Sequence, residues 1–347
     1  MLSVARTSCA PLKSMLCIGV SSAKQNSTRL LLVQVVKPNV ARCYARGPQF
    51  GGRTVNTGFG ARTAPTKTLK ERLLGPTTGT PYKIGSLATA GAAAVGVGAL
   101  CFYGLGLSNE TGILEKSAIW PDYVSQRIHS TYMYLGGSLV LTAASAAAVA
   151  RNPAMLRIMA GNSLMVMFGS LAAVIGTGIL VRSIPYSPGI GAKQLAWMVH
   201  TGTLGAVLAP LCFLGGPLLV RAAIYTAGIV GGLSAVAVCA PSEKFLSMAG
   251  PLSMGLGVVF VSSLGTWFLP PTTALGAGLM SIAMYGGLIL FSGFLLYDTQ
   301  AIVKKAEYHP PYSMVPFDPI NAQIGIYLDI LNIFMRIAMI MSGQRRK

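Results

Sequence analysis

From Phe245 to Tyr297 the chain carries no Asp, Glu, Lys, Arg or His. So long an uncharged stretch does not make the surface of a water-soluble domain. Several other uncharged runs reach the roughly 20 residues that a helix needs to cross the bilayer core. Within hydrocarbon each backbone N–H and C=O must find a partner inside its own segment, so such runs are helical. Composition agrees: hydrophobic residues make up 52% of the chain and charged residues 10%, against about 25% charged in ordinary soluble domains. The expected fold is all-α, a polytopic membrane helical bundle.

Eight apolar segments stand out, at about 85–107, 131–150, 158–181, 195–215, 221–240, 248–269, 275–300 and 320–341. The sixth and seventh are separated only by "PPTT", a tight turn. In the first segment Ala88, Ala92 and Gly96 recur at spacing four, as do Ala90, Ala94 and Gly98. Small residues at that spacing let helix backbones approach closely in lipid. They serve packing within the chain first, with a homo-oligomer face as the alternative.

The net charge of +18 is unevenly placed. No acid precedes Glu71, and the Lys and Arg residues before it stand singly among Ser, Thr, Val and Leu. That spread does not suit nucleic acid, which calls for clustered bases and aromatics. An Arg-rich, Ser-containing, acid-free N-terminus reads as a mitochondrial transit peptide. In "ARCYARG", Arg42 precedes Tyr44 by two residues and Ala45 follows, the pattern of a matrix-peptidase cut between Tyr44 and Ala45. The expected organisation is a transit peptide at 1–44, a flexible basic matrix linker at 45–84, an additional transmembrane helix at 85–107, a core at 131–342 and a basic tail at 343–347. Loop charges give the side of the linker and tail about +10 and the other side about +1, so both termini are expected in the matrix. Cys101, Cys212 and Cys239 sit singly in apolar segments and read as small core residues.

Against this background two acids are conspicuous. "GFLLYDTQAI" ends the long uncharged run at Asp298, and "GIYLDILNIF" carries Asp329 inside the last segment. Between them "HPPYSMVPFDP" ends one helix and delays the next. Asp318 and Pro319 form a helix-start pair. With helix ends near His309 and Asp318, each aspartate lies roughly 16 Å from the turn at 1.5 Å rise per residue. Two antiparallel helices would put both carboxylates at one depth. An acid at mid-membrane costs about 2.5–3.5 kcal/mol on insertion scales, which makes it a functional candidate. Two close carboxylates titrate as a unit. Deprotonated, they offer hard oxygen ligands suited to Ca²⁺. Protonated, they lose the attracting charge. That is a proton–cation exchange site in outline. The bland alternative puts Asp298 at a helix end in the interface. Arg336, too far along its helix to pair with Asp329, is expected to snorkel towards the matrix. Glu243 and Lys244 read as an interfacial ion pair. His129, His200 and His309 have no metal-ligand spacing, and His200 reads as a hydrogen-bonded packing residue. No phosphate loop, zinc-protease or serine-hydrolase motif is present, and no enzyme is expected.

"GFLLYDTQAI", "GIYLDILNIF" and "HTGTLGAVLAPLCFLGGP" resemble the transmembrane Bax-inhibitor-motif family over roughly residues 130–342, and further stretches such as "YGLGLSNE", "IWPDYV" and "CAPSEKFL" resemble a mitochondrial member of it. The resemblance implies a seven-helix core, with the first segment added. It implies that Asp298 and Asp329 form a proton-sensitive pair on a cation pathway and bind the cation as metal ligands. It implies a latch arginine, matched here by Arg182 in "ILVRSIP", although the family's neighbouring basic cluster is missing. The leading expectation is a proton-coupled exchanger of Ca²⁺, with K⁺ as the alternative ion, in the mitochondrial inner membrane. It would support mitochondrial ion homeostasis, cristae morphology and cell-death control. The rival is a scaffold that binds other inner-membrane proteins. No cofactor is expected beyond transported Ca²⁺ and H⁺. The lipid bilayer, a cation and inner-membrane proteins are the expected partners, and nucleic acid is not.

N-terminal sequencing of the mature protein is expected to begin at Ala45. A start at Met1, or anywhere beyond Lys83, refutes the transit peptide.

Overall fold

Gly79, held at a positive φ of 76°, is followed at once by the first described helix. The computed structural model describes residues 79–344 apart from 105–111, 114–116, 118–119, 160–163 and 242. The transit peptide, its Tyr44/Ala45 cut, the linker up to residue 78 and the last three residues lie outside the described residues. All described residues belong to one unit, Thr63–Lys347.

Local chemistry accounts for most helix ends. α1 runs Thr80–Gly104 and begins five residues ahead of expectation because Pro81 suits a first turn. α2, Asp122–Arg151, begins nine residues ahead. Pro121 precedes it and Asp122 faces the positive end of its dipole, whereas its polar first turns escape a reading of hydropathy alone. After the short α3, Pro153–Met159, come α4, Leu164–Ser183, and α5, Ala192–Leu208. A 3₁₀ turn, Ala209–Leu214, extends α5 to Gly215, whose φ of 91° suits a residue without Cβ. α6, Gly216–Cys239, starts on the next residue with Pro217 in its first turn. α7 is Ala249–Phe268. α8, Ala274–Tyr308, is capped by the Thr273 hydroxyl, which accepts from the Gly276 N–H at 3.1 Å. α9 is Pro319–Gln344, with Asp318 Oδ1 accepting from the Asn321 N–H at 2.9 Å. Seven described helices are long and apolar enough to cross a membrane, and no strand occurs among the described residues. The third expected segment is the exception: its apolar part, Phe168–Ser183, is shorter.

α9 occupies the middle of the bundle, with α2, α6 and α8 packed around it. Ile326, Tyr327, Ile330, Ile333 and Ile337 meet Leu135, Leu204, Phe291 and Leu295 in the main core. In lipid, close fit and interhelical hydrogen bonds carry such contacts. Gly205 lies so close to the Thr142 carbonyl that a Cβ would overlap it. Ser145 Oγ donates to the Gly202 carbonyl at 2.7 Å, and the Thr142 and Tyr327 hydroxyls hydrogen-bond at 2.5 Å. α4 packs on α5, and α1 on α6 and the first half of α8. Of the α1 stripes, Ala92 and Gly96 are partly covered, while Ala90, Ala94 and Gly98 are exposed. Cys101 is exposed on α1 and is not a core residue.

α8 contains a π turn at Ile282–Gly286. Arg336 on α9 answers it. Its Nε donates to the Ala283 carbonyl at 3.1 Å, and Nη1 donates to the Asn332 carbonyl and Oδ1 at 3.2 and 2.9 Å. The guanidinium lies 4.5 Å from the Phe291 ring centroid. Arg336 is therefore buried and does not snorkel, because these partners replace water. Glu243 pairs with Lys304 of α8 at 3.0 Å. Lys244 lies over the Tyr103 ring.

Gly287 leaves the notch that the Arg336 guanidinium fills. Gly287→Ala is expected to displace it and cost about 1–3 kcal/mol. Thermal unfolding in detergent measures this; an unchanged midpoint shows that the notch does not hold the charge.

Candidate functional site

α8 and α9 are consecutive, antiparallel and in contact along their length. α8 stops where the His309 N–H caps back to the Lys305 carbonyl at 3.3 Å, just before Pro310 and Pro311. α9 resumes at Pro319. Asp298 and Asp329 are thus carried to the same level, eleven residues either side of the turn. Gly325 then permits the close approach. The Asp298 carboxyl lies directly on it, where any Cβ would overlap Oδ2.

The two carboxyls lie within hydrogen-bonding reach of each other. Ionised carboxylates only accept, so a hydrogen bond between the two requires one of them to carry a proton. Asp329 is 5% exposed and its Oδ2 has no protein partner. Asp298 is half-buried. Leu295, Ile302, Ile326 and Ile330 of the same two helices are buried apolar residues. No ion pair within 4 Å reaches either aspartate among the described residues. Two positive charges act on Asp298 through space, Lys305 on α8 and Arg182 at the end of α4. Arg182 is exposed. Lys305, two turns from Asp298 on the same helix face, is absent from the sequence reading although its spacing of seven was visible there. No group of three or more His, Cys, Asp or Glu side chains arranged for a metal occurs among the described residues. A cation at the pair would need further oxygens from carbonyls or water.

Both ends of the α8–α9 loop are clamped. Arg127 Nη1 donates to the Ala306 and His309 carbonyls at 2.9 and 2.8 Å, and its guanidinium sits near the Tyr123 and Phe317 rings. Trp120 Nε1 donates to Glu307 Oε1 at 2.8 Å. Opposite, Lys193 is 1% exposed and pairs with Asp318 Oδ2 at 2.7 Å. Nearby in the α4–α5 loop, burial pushes the Tyr186 phenol up to about 12, helped by its hydrogen bond to Tyr134. His200 packs as expected, with Nδ1 bonded to Thr177 Oγ1 at 2.9 Å, while its Nε2 has no protein partner. The Gln323 amide is fully buried, and neither its oxygen nor its nitrogen has a protein partner.

Membrane-length helices packed around a buried carboxyl pair define a polytopic helical membrane protein. Residues 124–347 match the family model described as Inhibitor of apoptosis-promoting Bax1. The match begins just inside α2, and α1 precedes it. The chain is 60% identical over 283 residues to the growth hormone-inducible transmembrane protein of Rattus norvegicus, spanning 80% of this chain and 82% of that one. It is 30% identical to Bax inhibitor 1 of Rattus norvegicus over 67% of this chain and 92% of that one. It is also 30% identical to an uncharacterized membrane protein of Vibrio cholerae, over 60% of this chain and 84% of that one. No solved structure matches significantly. The chain belongs to the Bax-inhibitor family.

Gly325→Ala is expected to push the Asp298 carboxyl off its seat and lower thermal stability by about 1–3 kcal/mol. In an Asp298→Ala background the same change should cost clearly less, because the overlapping carboxyl is gone. Equal costs in both backgrounds would show that the carboxyl does not sit on Gly325.

Proposed function

We propose that the chain is a proton-coupled cation exchanger of the mitochondrial inner membrane, with Ca²⁺ as the preferred ion and K⁺ as the alternative. The observation that carries this reading is the close approach of the Asp298 and Asp329 carboxyls across two helices in an apolar setting, with Asp298 seated on Gly325. With one shared proton the pair carries a single negative charge. Losing that proton leaves a dianion whose oxygens suit a hard divalent cation and whose charge balances it. Rebinding the proton weakens the hold and releases the cation. Alkaline pH therefore favours cation binding and acid pH opposes it. Arg182 and Lys305 act as counter-charges on Asp298 that compete with the cation and favour the closed state. The inner-membrane assignment rests on the acid-free, Arg- and Ser-containing N-terminus. Exchange there would support mitochondrial ion homeostasis, with cristae morphology and cell-death control downstream.

Purified protein in liposomes tests the reading, with cation flux measured against a pH gradient. Asp298→Asn and Asp329→Asn should each reduce proton-coupled flux to that of protein-free liposomes. The double variant should be no worse, since the pair acts as a unit. Arg182→Gln should raise leak. Parental flux in both single Asn variants overturns the exchanger and leaves the scaffold that binds other membrane proteins.

A further inference from the structure

Lys193 lies in the first turn of α5, and its side chain is fully buried. Its Nζ faces three oxygens from three places in the chain. Ile184, just beyond α4, offers its carbonyl at 2.9 Å. Asn321, in the first turn of α9, offers Oδ1 at 3.1 Å. Asp318, which caps α9 with Oδ1, offers Oδ2 at 2.7 Å. An ammonium group has three N–H donors, and all three are used.

Without the lysine, these oxygens are a backbone carbonyl, a side-chain amide and a carboxylate, the donor types of a hard-cation site. We propose that they form a monovalent-cation site whose resident ion is the tethered Lys193 ammonium, and that a free potassium ion takes its place when the ammonium is removed.

Distance and charge both select a monovalent ion. The oxygens stand farther from Nζ than the roughly 2.3–2.6 Å that Ca²⁺ adopts, and Ca²⁺ takes six to eight of them. The cage holds one carboxylate, so a divalent ion would leave a buried excess of positive charge. Asp318 also serves the α9 N-terminus, which further limits the negative charge on offer.

The tether has a consequence for the site. Ile184 follows Arg182 by two residues, and Asp318 and Asn321 begin the helix that bears Asp329. The ammonium therefore ties the Arg182 end of α4 to α9. A mobile ion would make that tie depend on ionic composition, whereas a covalently attached one does not. The inference stands independently of exchange at the aspartate pair.

The test is thermal unfolding of the purified full-length protein in detergent at constant ionic strength, with K⁺ exchanged for N-methylglucamine. The parent midpoint should respond less than that of the lysine variant. Lys193→Met should unfold at a lower temperature and recover roughly 3–5 °C when K⁺ reaches ten times its dissociation constant. Lys193→Met combined with Asp318→Asn removes the charge of the cage and should lose the K⁺ response. If Lys193→Met folds only when prepared in K⁺, that too supports the site. Misfolding in both buffers, or no K⁺ response in the folded variant, overturns it. So does an equal response in the parent or in the double variant, which would be a general salt effect. In Lys193→Met, a midpoint gain over the parent that is larger for Ca²⁺ than for K⁺ overturns the monovalent assignment.

Discussion

The contact between α8 and α9 governs the rest of the bundle. It brings two acids together in an apolar setting, and it does so because Gly325 has no side chain. A carboxyl pressed on a bare Cα leaves little freedom in register or rotation between the helices. The surrounding polar chemistry is consistent with that constraint. Arg127 secures the end of α8 and Lys193 the start of α9, from opposite sides of the same loop. Farther along, Arg336 fills the notch at Gly287 beside the π turn. Buried charges and cut-off carbonyls are costly alone and tolerable together.

Each charge that the bundle buries is met differently. Lys193 meets a carboxylate, Arg336 meets carbonyls, an amide and a ring, and Asp329 meets another acid. The last arrangement is the exception, since neither acid brings a positive charge to the other. A structure built only for stability has little reason to place it in the central helix. That asymmetry is why the exchange reading rests on this pair and not on the better-compensated lysine or arginine.

Much of this was legible in the sequence, for identifiable reasons. Helix rise is constant, so equal spacing of Asp298 and Asp329 from a proline-bounded loop gave equal depth. The Asp318–Pro319 start was readable from local chemistry alone. Lys193 was not. Its partner Asn321 lies 128 positions away, and a lone lysine beside a loop reads as a surface charge. Arg336 was misread because its carbonyl acceptor is freed by a π turn that no residue type announces. Gln300, which joins the Ala237 and Pro241 carbonyls and the Phe245 N–H, was passed over for the same reason. Its partners are backbone atoms, and side-chain patterns carry no record of them. Helix ends were missed where polar first turns, as in α2, fall outside an apolar window.

The central place of α9 bears on how the bundle is put together. In chain order it follows α2, α6 and α8, the three helices that enclose it. Until α9 is in place, the inward faces of those three helices must meet lipid or one another. A bundle completed in chain order would therefore close inward around its central segment instead of growing outward from an early nucleus. Quality-control machinery that samples half-built membrane proteins would meet this chain longest in that open form.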